Sequence, residues 1–314
     1  MDYYSLYQST IFDSSSYDKV DICTKHQDTI TGIIQIYKFI VTSSYDKSIK
    51  FWDIQKQVCH KKISRAHNKK IECLLKLNNS SFMSYQQDFL FFWSCRQMKL
   101  VKKICIVDLE YNPQYEICTK FNQYILINTV HQDQVFCVDT LNGTSQNEQF
   151  ENFPNRISSF ISLDENFFAV GYNKIIIYEF NTKLAKQNIE YTKKGYDELS
   201  LIKLNKELIV AGSMHGYIFI ANWKQGTILS NLYNNGPLVK QLLLIKNKEQ
   251  KQQYILSINR DRSLQIWDLK SKKQIQTYFM DRQPHIFHIY NNSKILSADK
   301  IREEVQIRQL KFSV

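Results

Sequence analysis

Short apolar runs separated by polar turns recur along the whole chain. Phe39–Thr42 (FIVT) is apolar and β-branched, and Ser43–Lys47 is polar and turn-forming. Ser48–Asp53 (SIKFWD) then alternates Ile49, Phe51 and Asp53 on one face with Lys50 and Trp52 on the other. A period of two is the strand pattern, and run–turn–run is a hairpin. Asp46 sits in the turn, where its side chain can bond its own backbone two residues on. The second half of this hairpin recurs as IKFWD, LFFWS, VFCVD, IIIYE, IFIAN, LQIWD and VQIRQ, ending at Asp53, Ser94, Asp139, Glu179, Asn222, Asp268 and Gln309. The steps are 41, 45, 40, 43, 46 and 41 residues. Each copy follows a second apolar run (SFMSY, YILIN, ELIVAG and QYILSI among them), and that run follows a third (IECLLKL, YEICTKF, LSLIKL). The predicted unit is four short antiparallel strands, a to d. The repeats span about 27–63, 67–107, 114–150, 156–191, 197–232, 237–279 and 285–314. A four-stranded sheet this short cannot bury both faces alone, so neighbouring units must cover one another.

The period and the Trp-Asp ending, carried best by SSYDKSIKFWD and NRDRSLQIWD, resemble the WD-repeat (WD40) family. The resemblance covers residues 19–314 and leaves residues 1–18 as an N-terminal tail holding Tyr3, Tyr4, Tyr7, Phe12 and Tyr17. It is strong in repeats one and six and rests on spacing in repeats three, four, five and seven. It implies an all-β fold: a single seven-bladed WD40-type β-propeller closed by the N-terminal strand. Repeat seven almost stops after strand c, and Lys19–Lys25 (KVDICTK) looks like the outer strand that it lacks. The resemblance also implies a hydrogen-bonded set in each blade, made of a loop His, a strand-b hydroxyl, a turn Asp and the Trp. Repeat one offers His26, Ser43 or Ser44, Asp46 and Trp52. Repeat two offers His67 and Trp93, with Gln87 in the Asp place. Repeat six offers Asp261 and Trp267 without a His. Propellers of this family are seldom enzymes and act as platforms for other chains, so the expected partners are other proteins in a multi-subunit complex.

Composition narrows the chemistry. The 314 residues are 43% hydrophobic and 23% charged, ample for a sizeable core. No run of 18 apolar residues occurs, so no integral membrane segment is expected, and the N-terminus lacks the basic start and apolar stretch of a signal peptide. The expectation is a cytoplasmic or nuclear chain, not a secreted one. The seven cysteines then read as small core hydrophobes. His285 and His288, three apart on a strand, point to opposite faces and make a poor metal pair. There is no G-x-S-x-G, no G-x-x-x-x-G-K-[ST], no H-E-x-x-H and no F-R-R-G. No catalytic, cofactor-binding or metal residue is therefore expected, and no cofactor.

Charge supplies a second reading. The net charge is +11. Sorted by loop, basic residues collect on the side of the a–b and c–d turns: Lys38, Lys76, Lys206 and Lys294, and the candidate binding set Lys56, Arg96, Lys99, Lys183, Lys224, Lys246, Lys248, Lys251, Lys270, Lys272 and Lys273, with Asp164, Glu165, Glu207 and Glu249 against them. This suggests an anion-facing side that docks on RNA, acidic protein tails or a membrane surface. The plainer alternative is a lysine-rich solubilising surface.

Overall fold

The computed structural model describes residues 19–22, 26–53, 55–56, 58–86, 89–106, 117–128, 134–154, 157–191, 198–233, 237–247, 252–280, 286–290, 294–298 and 305–309. Among these residues there is no helix. Strand β1 is Lys19–Ile22. The first full sheet is β2 (Ile30–Ile36), β3 (Phe39–Ser44), β4 (Ile49–Asp53) and β5 (Val58–Ile63). The second is β6 (Cys73–Lys76), β7 (Ser81–Gln86), β8 (Phe89–Ser94) and β9 (Lys99–Cys105). The third is β10 (Ile117–Phe121), β11 (Tyr124–Asn128), β12 (Gln134–Asp139) and β13 (Ser145–Gln149). The fourth is β14 (Ser159–Ser162), β15 (Phe167–Gly171), β16 (Ile175–Glu179) and β17 (Ala185–Ile189). The fifth is β18 (Leu199–Lys203), β19 (Leu208–Ser213), β20 (Ile218–Asn222) and β21 (Thr227–Tyr233). The sixth is β22 (Val239–Asn247), β23 (Gln252–Asn259), β24 (Ser263–Asp268) and β25 (Lys273–Phe279). Last come β26 (Ile286–Tyr290), β27 (Lys294–Ala298) and β28 (Val305–Gln309).

The described strands pair into seven four-stranded antiparallel sheets in a β-propeller arrangement. Six sheets are consecutive meanders. In the remaining one β1 pairs antiparallel with β28, with Val20 opposite Ile307. That pairing covers Lys19–Ile22; residues 23–25 of the expected outer strand lie outside the described residues.

In the first six sheets burial is highest on the two middle strands and falls on the outermost one. Strand β3 is buried at every position, and β4 at all but its last. Strand β5 (VCHKKI) is exposed at all but its last residue. The middle strands are apolar on both faces because each sheet is covered on both sides. Phe51 packs toward the second sheet, in a core with Ile71, Leu74 and Phe82. Trp52, one residue on, packs the other way, in a core with Tyr290, Leu296 and Val305 of the last sheet. Every other pair of successive sheets likewise shares a cluster.

Among the described strands, strand a of each sheet has one edge without a strand partner, and unpaired backbone groups there invite aggregation. Side chains from the neighbouring sheet occupy some of them. The Leu199 N–H donates to Ser158 Oγ at 2.7 Å, and the Leu242 N–H to Ser200 Oγ at 2.9 Å. The Gln35 N–H donates to His288 Nε2 at 3.1 Å, across the seam between first and last sheets. Lys120 Nζ donates to the Leu77 carbonyl at 3.0 Å, and Lys203 Nζ to the Leu163 carbonyl.

Close approach of neighbouring a strands needs Gly32. A Cβ there would lie 2.3 Å from Leu74 Cβ and 2.8 Å from Ser43 Oγ. Gly32→Ala is expected to cost about 2–3 kcal/mol, because the clash is with a stem and not with a flexible tip. Chemical denaturation of the variant checks this, and a loss below about 0.5 kcal/mol would show that the two sheets can part freely.

Candidate functional site

Two buried hydrogen-bond chains hold the loops that lead into the first two sheets. In the first sheet, Trp52 Nε1–H donates to Thr42 Oγ1 at 2.9 Å. The Thr42 hydroxyl lies 2.8 Å from His26 Nε2, and His26 Nδ1 lies 2.9 Å from Asp46 Oδ2. The direction of each bond follows from its ends. Asp46 only accepts, so Nδ1 carries the proton, Nε2 accepts from Thr42, and Thr42 accepts from Trp52. Asp46 also accepts the Gln27 N–H at 3.0 Å and the Ser48 hydroxyl at 2.7 Å. Burial works against the Asp46 charge, but the bonds from His26, Ser48 and Gln27 outweigh it and hold the carboxyl well below its usual range. Burial lowers the His26 pKa, and Asp46 only partly offsets this.

The second sheet repeats the chain with a neutral end. Trp93 Nε1–H donates to Ser84 Oγ at 2.7 Å, Ser84 Oγ lies 2.7 Å from His67 Nε2, and His67 Nδ1 lies 3.0 Å from Gln86 Oε1. Burial drives the His67 pKa down to about 4; the Gln86 bond opposes this only weakly, and Lys103 adds to it.

These partners differ from the expected ones in two places. The strand-b hydroxyl is Thr42, not Ser43 or Ser44. Thr42 lies two residues beyond Ile40, the cross-strand partner of Trp52, and so shares its face. Ser43 points to the other face and meets the Thr31 hydroxyl, while Ser44 bonds the Asp28 carbonyl. The acceptor in the second sheet is Gln86; Gln87 lies outside the described residues. The longer Gln side chain reaches His67 from the end of its own strand. In the sixth sheet, which has no such His, Asp261 and Trp267 each bond a serine. Asp261 caps Ser263, accepting its N–H at 2.9 Å, and Trp267 donates to Ser257 at 3.0 Å.

The basic side is more balanced than loop sorting suggests. Lys56, Arg96, Lys270 and Lys272 are exposed in c–d turns, and Lys99 and Lys273 are exposed at the start of strand d. Lys183 is half-buried, 3.1 Å from Glu148 and 4.1 Å above the Phe180 ring. Lys224 faces Glu207 at 3.8 Å. Lys248 and Lys251 lie outside the described residues, as does the side chain of Lys246. The same turns hold acids that loop sorting left out, because they end strand c. Asp139 Oδ1 accepts the Leu141 N–H at 2.8 Å, and Asp268 Oδ1 accepts the Lys270 N–H at 3.1 Å. Asn222 does the same for Lys224, at 3.0 Å. The recurring acid or amide at the end of strand c is thus a turn cap. For Asp139 and Asp268, burial opposes ionisation but the turn bonds prevail and lower both pKa values.

The cysteines divide by position. Cys95 and Cys137 are buried, Cys59 and Cys105 are exposed on outer strands, and Cys73 and Cys118 are half-buried on inner strands. Among the described residues no group of three or more His, Cys, Asp or Glu could hold a metal ion, and no helix is long and apolar enough to cross a membrane. No protein-family model and no curated protein matches this sequence.

Proposed function

We propose that the chain is a seven-bladed WD-type propeller closed by β1, and that it serves as a non-catalytic scaffold, a rigid protein–protein interaction subunit of a larger assembly. The observation that carries this reading is the sharing of a buried core between each sheet and the next, the last and first included. A frame packed in this way holds the described rim turns in place. Loops already ordered lose little conformational entropy when a partner binds. The two buried chains around His26 and His67 support the same reading, since they tie rim loops to strands b and c.

The test is affinity purification of the tagged chain from its own cells at low and at high salt, with nuclease treatment. A defined set of proteins is expected to survive high salt. Loss of every partner with salt or nuclease would overturn the scaffold reading in favour of an anion-binding propeller. The ion pairs of Lys183 and Lys224 and the acidic caps weaken that alternative.

A further inference from the structure

The sulfurs of Cys73 and Cys118 lie 3.1 Å apart, about 1 Å longer than a disulfide bond. Cys73 is the first residue of β6 and Cys118 the second of β10, strands of two different sheets. They are separated by 45 residues, one repeat step. They are nevertheless not equivalent positions. Lys76 faces Phe82 and Lys120 faces Ile125, each the second residue of strand b. Cys73 stands three residues before Lys76, and Cys118 two before Lys120. On a strand, that offset of one turns the two side chains to opposite faces. Cys73 therefore looks toward the third sheet, Cys118 looks back toward the second, and they meet against one shared apolar cluster.

We propose that Cys73 and Cys118 form a reversible disulfide between the second and third sheets, a modification site whose co-substrate is a low-molecular-weight disulfide. Both are thiols in this structure and both are partly accessible, unlike Cys95 and Cys137. In the first step one cysteine thiolate attacks the small disulfide, joining one half of it to the protein and releasing the other half as a thiol. In the second step the neighbouring thiolate attacks the protein sulfur of that mixed disulfide. The Sγ–Sγ bond forms, and the second small thiol leaves. Two protein thiols are oxidised, one small disulfide is reduced to two thiols, and the two protons pass to the leaving thiolates. Contact between the sulfurs makes the second step intramolecular. The product adds a covalent staple between two sheets that otherwise share packed side chains and hydrogen bonds from Lys120 to the Leu77 carbonyl and from Lys102 to the Thr140 and Leu141 carbonyls.

The experiment treats the full chain with oxidised glutathione, alkylates the remaining thiols in denaturant and maps the peptides by mass spectrometry. The expected result is a Cys73–Cys118 linked peptide pair, lighter than the two reduced peptides by two hydrogens and fully reversed by dithiothreitol. In C118S the second step is blocked, so a stable glutathione adduct on Cys73 is expected. Both cysteines fully alkylated while exposed Cys59 or Cys105 reacts would overturn the proposal. So would stable glutathione adducts on the wild-type pair without a cross-link.

Discussion

Lowering the pH from 7.5 to 5 is expected to destabilise the fold by about 4 kcal/mol. His67 and His288 carry most of this. Both are held neutral with pKa values of about 4: burial is the main cause for each, with a further push from Lys103 on His67 and from Lys76 on His288. In the unfolded chain a histidine titrates near 6.5. Between those values the unfolded state binds more protons than the folded one, so stability falls as the pH falls. The contribution is fully present above about 6.5 and gone below about 4, and at pH 5 each histidine accounts for roughly 2 kcal/mol. His26, also lowered, acts in the same direction. Asp46 acts lower still, because a depressed carboxyl stabilises above its unfolded value and loses that effect only in stronger acid. The geometry explains the cost of a proton on either histidine. His288 Nε2 accepts the Gln35 N–H, and His67 Nε2 accepts from Ser84. Protonation turns each acceptor into a donor. Denaturant titrations at pH 7.5, 6 and 5 check this. His67→Gln should weaken the fold at pH 7.5 and also flatten its pH dependence by about half. A stability unchanged between pH 7.5 and 5 would mean that both rings protonate in place.

His26→Ala is expected to cost about 3 kcal/mol at pH 7.5, the largest loss from any single member of the first-sheet chain. It leaves the Asp46 carboxylate, whose side chain is 5% exposed, without its charge-assisted donor, and it strands the Thr42 hydroxyl. A buried charged acceptor that loses its partner costs several times what the bond contributes net. Trp52→Phe removes the N–H at the far end of the chain together with the five-membered ring that carries it, and keeps a six-membered ring in the core, so about 2 kcal/mol is expected. Comparing the midpoints of the two variants in urea decides the matter. Equal losses would mean that the ring packing of Trp52, not the polar chain, holds the loop. Asp46→Asn should fall between them, since an amide oxygen can still accept from His26 just as Gln86 does from His67.

The repeat unit, its four strands and its 40–46-residue step were legible along the chain. Period-two alternation and turn residues are local properties that do not depend on what a strand packs against. The opposite faces of Phe51 and Trp52 were legible for the same reason. The partners inside each sheet were not. Thr42 rather than Ser43 bonds Trp52 because the β3–β4 register puts Ile40 across from the indole, and register emerges only when strands pair. Asp139 and Asp268 read as strand-ending residues until the turns after them closed and their carboxylates took up the free N–H groups. Contacts between sheets were the least legible. The salt partner of Lys183, the seam bond from Gln35 to His288 and the meeting of Cys73 with Cys118 join residues at least 35 positions apart. Sequence alone determined that this chain is a series of small antiparallel sheets with apolar faces in need of cover. Tertiary structure decided which side chains meet where the sheets cover one another, because that depends on a one-residue offset in strand register that composition and spacing do not encode.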